Sequence, residues 1–367
     1  LTQLWGKLSS DDIYYANLLT LSKGSWDLVS DFPIFGKKSA TEARSIFSTT
    51  PMRGLLGQSI HFENIPRKIN DGHLHGVSIS TLEYDSMATK TYYQGVESIP
   101  SWERPMHRGE RANLNIDHIM ASSAIPILFP PIKIGERFYG DGCIRNQSPC
   151  APAIYMGAEK LIAIGVRRRS DTWYTYHHSE SSIAPNMARL INVIFHSVMM
   201  DGLESDIQRI NQTNRQVELL TEEQRKSLGV REVQCLWICP SVDVATLAYQ
   251  KRSELPRMIR YMLPGTLSES SELMSFLLFE SGFCKELIEI GFADGMKVEE
   301  SIKHDTRLNF IMSLAHTFIR CDGHTGRQIQ AACTFADHRD CHCLRRMCRK
   351  QIGIKTLCLF TEYKPVT

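Results

Sequence analysis

The residue best placed to do chemistry is Asp141, which stands between Gly140 and Gly142 directly after a short strand-like pair, Phe138 and Tyr139. Glycine on both sides allows the backbone to turn sharply without a Cβ clash, so one carboxylate would be presented at the end of a strand. Such a carboxylate can take a proton in catalysis. The simpler alternative is a turn aspartate that binds its own backbone.

A Pro-locked segment precedes this aspartate by about ten residues, and a second small-residue segment follows it. The first reads A-S-S-A-I-P-I-L-F-P-P from Ala121 to Pro131, and the second reads S-P-C-A-P-A-I from Ser148. Together with Asp141 they resemble the patatin-like lipid acyl hydrolases. Cys143 departs from that pattern, because the family usually has glycine or alanine there.

The resemblance implies a three-layer α/β/α domain and a Ser–Asp dyad in which Asp141 accepts the proton of a serine nucleophile. A free aspartate has a pKa of about 3.9 and is a weak base, so the dyad needs a partly desolvated site. The resemblance also implies a lipid or acyl-ester substrate, no cofactor and no metal, and it allows peripheral contact with a membrane. We expect Asp141 at the carboxyl end of the sheet, facing a cleft, with the strand of residues 161–166 beside it.

The nucleophile of such a dyad needs the pattern Gly-x-Ser-x-Gly at a strand-to-helix turn. Ser59 and Ser78 each follow a glycine at the second position before, but neither has the second glycine. No glycine-rich oxyanion loop is found either. The family carries both elements near the start of its domain, so we expect an N-terminally truncated chain. A protein that has lost its nucleophile is the alternative.

Composition describes an ordinary globular protein. Hydrophobic residues make up 43% and charged residues 22% of the 367 residues, and the net charge of +2 gives no argument for a nucleic-acid partner. No apolar run approaches the roughly 18 residues that a membrane span requires. We therefore expect a cytoplasmic or peripheral membrane location.

Hydrophobic patterns predict an α/β fold. Strands are expected around residues 74–82 and 89–93 and in the continuous apolar run of residues 161–166, which suits a strand buried on both faces. Helical character in residues 116–123 and 151–156, between these strands, indicates a three-layer α/β domain. Later residues predict a helical region with one strand at residues 233–238 and helices at residues 255–262 and 272–290. The expected domains are residues 1–215 for the hydrolase part, 216–310 for a mainly helical C-terminal extension and 311–367 for a tail.

The tail, residues 311–367, is basic and rich in cysteine and shows no regular apolar period. We expect it to be disordered, because a segment without an apolar face cannot offset its ordering entropy by burial. Zinc binding is an alternative that the C-x-C and C-x₄-C spacings fit poorly. The candidate ligands there are His338, Cys341, His342, Cys343 and Cys348.

Several other polar residues have both a functional and a structural interpretation. Arg145 and Asn146 could contact a substrate headgroup or cap the turn after Asp141, and Arg167, Arg168 and Arg169 could meet lipid phosphates or form a solvated loop. No triad pattern supports His177, His178 or His196.

The sequence therefore favours a lipid acyl-ester hydrolase of which only the aspartate is present, so that this chain is expected to be inactive. A non-catalytic lipid-binding or scaffolding protein of the same fold is the alternative.

Overall fold

The computed structural model describes residues 2–15, 45–168, 189–190, 192–194, 197, 202–263, 267–303 and 357–360. Its strands are β1 (Gly76–Glu83), β2 (Ala88–Gly95), β3 (Trp102–Arg104), β4 (His107–Arg111), β5 (Ile132–Ile134), β6 (Arg137–Asp141), β7 (Lys160–Ile164), β8 (Gln234–Ile238) and β9 (Leu357–Phe360). Its helices are α1 (Thr2–Trp5), α2 (Thr50–Ser59), α3 (Asn64–Asn70), α4 (Ile116–Ser122), α5 (Ala151–Tyr155), α6 (Gly202–Glu218), α7 (Glu222–Leu228), α8 (Val244–Gln250), α9 (Arg257–Met262), α10 (Leu267–Leu277) and α11 (Ser281–Lys303).

Six strands form one mixed sheet in the order β3-β4-β2-β1-β6-β5. Strands β1 and β2 form a long antiparallel pair that ends in a tight turn, and β6 runs antiparallel on the other side of β1. The pairing of β2 with β4 is parallel, whereas β3 with β4 and β5 with β6 are antiparallel. The strands expected around residues 74–82 and 89–93 are thus confirmed as β1 and β2.

Helices cover both faces of this sheet, which confirms the three-layer α/β/α architecture. On one face, His118 of α4 packs edge-on against Tyr92 at 4.5 Å between ring centroids. On the other face, Tyr155 at the end of α5 packs against Trp102 at 5.3 Å. Consecutive residues of a strand point to opposite faces, so Tyr92 and Tyr93 divide between the two cores.

The apolar run of residues 161–166 forms β7, the central strand of a second sheet in the order β8-β7-β9. Its consecutive residues Leu161, Ile162 and Ala163 are all buried, so both of its faces are covered, as the unbroken apolar run predicts. Leu161 and Ala163 pack with α6. Ile162 packs on the other face, near Val298 of α11.

The region after residue 216 contains the expected helices, with one difference. A single helix was expected over residues 272–290, but the structure has two, α10 and α11, separated at residues 278–280. The Tyr14 hydroxyl donates a hydrogen bond of 2.6 Å to the Leu277 carbonyl, and the Glu254 carboxylate accepts one of 3.0 Å from the Phe283 amide. The Leu277 carbonyl at the end of α10 and the Phe283 amide at the start of α11 are thus both hydrogen-bonded. The chain can therefore leave one helix and begin the next without leaving these two backbone groups unpaired.

The four residues of β9 lie within the segment for which the sequence showed no strand period, yet they pair antiparallel with β7. The other residues of the expected tail lie outside the described ranges, so a separate tail stays a prediction for them. The expected division at residue 215 also stays a prediction, although β8 pairs in parallel with β7 across it. Within the described ranges, no helix combines the length and apolar character needed to cross a membrane.

Candidate functional site

Asp141 is the last residue of β6 and is held there by the Pro-locked segment that precedes it in sequence and by the turn that follows it. Its backbone amide donates to the Ala124 carbonyl at 2.9 Å, which joins β6 to the segment that follows α4. Its side-chain Oδ1 accepts a hydrogen bond of 2.9 Å from the Cys143 amide. The residue is 2% exposed. The position at the carboxyl end of a strand is therefore as predicted, and the carboxylate is fixed by the turn that follows it.

The two glycines beside Asp141 are required by close packing rather than by their backbone angles. Neither has a positive φ. A Cβ at Gly140 would lie 2.5 Å from Tyr84 Oη, and a Cβ at Gly142 would lie 2.5 Å from the Ser80 carbonyl oxygen. The sequence predicted these glycines from the sharp turn, and the structure adds that close neighbours from β1 and the turn after it leave no room for a Cβ.

Cys143 is compatible with this turn. Its amide supplies the hydrogen bond to Asp141, and its side chain is half-buried against the main core. The departure from glycine or alanine at this position therefore leaves the aspartate in place.

The immediate neighbour of Asp141 in the sheet is β1. Asp141 pairs with Thr81, and Tyr139 pairs with Glu83. The strand of residues 161–166 was expected in that place, and this expectation is wrong because β7 belongs to the other sheet. A cleft in front of Asp141 stays a prediction. A cavity of about 430 Å³ in the described part of the chain lies elsewhere, beside Trp102 and Glu110 at the β3–β4 edge.

Charged and polar groups surround the start of β6. Burial alone would raise the pKa of Glu83, but hydrogen bonds from Ser86, Arg137 and Tyr139 outweigh it and hold this pKa below its usual value. Burial, and then the negative charge of Asp141, raise the pKa of Tyr84. Tyr84 is therefore a neutral phenol close to the Asp141 carboxylate.

Tyr84 is a site residue that the sequence did not predict, because it lies in the turn between β1 and β2, far from Asp141 in sequence. Ser122 was part of the singled-out segment but had no role assigned. Its hydroxyl donates to the Ser80 carbonyl at 2.8 Å, the same carbonyl that touches Gly142. The antiparallel pairing of β1 with β6 brings Ser80 and Tyr84 to Asp141, and no local sequence pattern shows which strands pair.

Neither candidate serine has the geometry of a nucleophile elbow. Ser59 is the last residue of helix α2, and Ser78 lies inside β1 opposite Tyr93. A nucleophile elbow requires a turn from a strand into a helix. The structure thus agrees with the sequence in assigning neither serine to this role.

The remaining candidates lie in the turn after Asp141, after β7, or outside the described residues. The amides of Arg145 and Asn146 bind the Gly142 carbonyl at 3.2 and 2.9 Å, which closes the turn after Asp141. Arg167 is half-buried and Arg168 exposed after β7. Arg169, His177, His178, His196 and the proposed zinc ligands of the tail lie outside the described residues. Among the residues that are described, no group of three or more side chains could hold a metal ion.

Comparison with known proteins gives one match. The family model described as patatin-like phospholipase matches residues 10–154, which include α4, β1 to β6 and Asp141. Searches of curated proteins and of solved structures found no match.

Proposed function

Because residues 10–154 of this chain belong to the patatin-like phospholipase family, we propose that the protein is a lipid acyl-ester hydrolase whose Asp141 is the carboxylate of a Ser–Asp dyad. The observation that carries the proposal is the placement of Asp141. It is a buried carboxylate at the end of a strand, bound by the following amide, inside the segment that matches the family.

In this proposal Asp141 accepts the proton of a serine hydroxyl while the serine oxygen attacks the ester carbonyl. The same carboxyl group then returns that proton to the departing alcohol. The hydrogen bond from Cys143 and the hydrogen bond between the Asp141 amide and Ala124 fix the position of the carboxylate. Fixed orientation is what a general base needs, since proton transfer requires heavy-atom distances of about 3 Å.

The printed sequence contains no Gly-x-Ser-x-Gly, and we infer that the chain as printed does not turn over esters. The nucleophile and the oxyanion donors supply most of the acceleration in this type of reaction. The test is hydrolysis of a short-acyl p-nitrophenyl ester by the purified chain. No rate above the buffer background is expected. Clear hydrolysis that disappears in Asp141→Asn would contradict the inference, because another residue would then be the nucleophile.

The second candidate is a non-catalytic lipid-binding or scaffolding protein of the same fold, and the missing serine motif favours it. The coding sequence upstream of Leu1 distinguishes the two. A Gly-x-Ser-x-Gly after a glycine-rich loop within about a hundred residues supports the hydrolase, because that is where the family carries its nucleophile. An upstream sequence without this motif supports the scaffold. Co-sedimentation with phosphatidylcholine vesicles, without release of fatty acid, would then be its expected behaviour.

A further inference from the structure

Two cysteines that are far apart in sequence, Cys150 and Cys235, lie next to each other at the second sheet. Cys150 directly precedes helix α5, and Cys235 lies in β8, where it pairs with Leu161 of β7. Cys150 is fully buried in the core cluster of β7 and α6, and Cys235 packs against the same cluster. The two thiols are within hydrogen-bonding reach of each other. Neither forms a disulfide in this structure.

A buried carboxylate fixes the position of Cys150. Asp206 of α6 is 5% exposed, and its Oδ2 accepts a hydrogen bond of 2.9 Å from the Cys150 amide. The guanidinium of Arg209 lies 3.8 Å from Asp206 Oδ1 and donates to the Ser148 hydroxyl at 2.8 Å. The loop that carries Cys150 is therefore tied to α6 at two points, and the thiol is kept against β8.

From this arrangement we infer that Cys150 and Cys235 are a redox-active dithiol that forms an intramolecular disulfide with a peroxide oxidant. The inference does not depend on the hydrolase proposal, since it uses residues outside the site of Asp141. The 84 positions that separate the two cysteines in sequence make such a bond a long-range cross-link between the loop after Asp141 and the second sheet.

The two thiols have different parts in this reaction. Cys235 is half-buried and Cys150 is fully buried, so Cys235 is the more accessible of the two to an oxidant. A hydrogen bond from Cys150 lowers the pKa of Cys235, although burial and the charge of Asp206 act in the opposite direction. A lower pKa increases the thiolate fraction, and the thiolate is the nucleophile.

The reaction needs only the two cysteines and hydrogen peroxide. The Cys235 thiolate attacks one oxygen of hydrogen peroxide, the O–O bond breaks, and Cys235 sulfenic acid and hydroxide form. The Cys150 sulfur then attacks the Cys235 sulfur, the S–O bond breaks, and the departing hydroxide takes the Cys150 proton as water. The two sulfurs together lose two electrons, and the peroxide becomes two waters once the hydroxide of the first step takes up the proton that the Cys235 thiol released.

Cys284 provides an internal comparison. It is also buried, but burial and the charges of Glu280 and Glu254 raise its pKa to about 11. It is therefore expected to stay reduced under the same treatment. Cys239, four residues after Cys235, is the nearest competitor in sequence and is half-buried as well.

The experiment is oxidation of the folded chain with hydrogen peroxide, followed by alkylation, trypsin digestion and mass spectrometry. Cleavage after Arg145 and Lys160 releases Cys150 in residues 146–160, and cleavage after Arg231 and Lys251 releases Cys235 with Cys239. A cross-link between these two peptides is expected, and dithiothreitol should reverse it. Peptides that contain Cys284 should carry only the alkylating group.

Three variants decide which cysteine reacts. The cross-link is expected to persist in Cys239→Ser and to disappear in Cys235→Ser, with circular dichroism showing that both remain folded. In Cys150→Ser, Cys235 should accumulate as sulfenic acid and react with dimedone. The inference is overturned if the link persists in Cys235→Ser, or if Cys235 joins a cysteine of residues 311–367. Conversion of Cys235 to sulfinic acid without a link overturns it as well.

Discussion

The hydroxyl of Tyr84 occupies the space where a side chain at Gly140 would begin. A Cβ built on Gly140 would lie 2.5 Å from Tyr84 Oη and 2.9 Å from its Cζ. Gly140 immediately precedes Asp141 in β6, and Tyr84 follows the end of β1. The phenol therefore covers the strand at the residue before the proposed catalytic carboxylate, and Asp141 contributes to the raised pKa of Tyr84.

Gly140→Ala is expected to destabilise the fold by about 2 kcal/mol, because the added methyl group displaces the Tyr84 ring. The loss should be smaller in a Tyr84→Phe background, where the nearest ring atom would be Cζ. Urea unfolding of the two single variants and the double variant measures this coupling. Strictly additive losses would show that Tyr84 does not limit the space at Gly140.

Gly142→Ala should cost more, about 3 kcal/mol, because its methyl group would meet backbone on β1 and not the end of a side chain. The Cβ would lie 2.5 Å from the Ser80 carbonyl oxygen and 2.7 Å from its carbon. Gly54→Ala in α2 is the matched control, because nothing lies within 4 Å of its Cβ position. That control should be neutral or stabilise the protein by up to about 1 kcal/mol. Equal effects of the two substitutions in urea unfolding would refute the close approach at Gly142.

Glu83→Gln should remove a stabilisation that depends on pH. The Glu83 carboxylate accepts hydrogen bonds of 2.8 Å from Arg137 and 3.0 Å from Tyr139, and its pKa is below the usual 4.5. A depressed pKa in the folded state stabilises the protein above pH 4.5, and this contribution is lost as the pH falls through the folded-state value. The variant should lose about 2 kcal/mol at pH 7.

The difference in unfolding free energy between wild type and Glu83→Gln should therefore narrow from pH 7 to pH 3. Glu136→Gln is the control, because the Glu136 side chain is 94% exposed and its contact with Lys133 is a surface ion pair. A difference for Glu83→Gln that stays constant over this range would contradict the assigned role of its charge.

Local patterns were sufficient to predict several parts of the fold. Asp141 at the end of a strand, helix α4 and the doubly buried β7 each follow from residues that are adjacent in sequence. The resemblance carried by residues 121–154 gave the family and the layered architecture, and the family match agrees with both.

The features of the fold that the sequence did not predict depend mainly on contacts between residues that are far apart in sequence. The partner of β6 is β1 and not β7, because strand pairing depends on the whole sheet. The break between α10 and α11 depends on Tyr14, more than 260 positions away in sequence. Strand β9 is an apolar run of only four residues, shorter than the run of residues 161–166 that predicted β7, and a run this short does not distinguish a strand from other apolar sequence.

The central claim is that Asp141 is the general base of a Ser–Asp dyad, and one comparison tests it most directly. The natural full-length protein is assayed on a short-acyl p-nitrophenyl ester as wild type, Asp141→Asn and Asp71→Asn. Asp71 is an exposed aspartate after α3 whose side chain forms a 3.9 Å ion pair with Lys68. We predict that Asp141→Asn lowers kcat by at least about 100-fold, the usual size of a general-base contribution, while Asp71→Asn leaves it unchanged. Wild-type turnover by a folded Asp141→Asn protein would contradict the account.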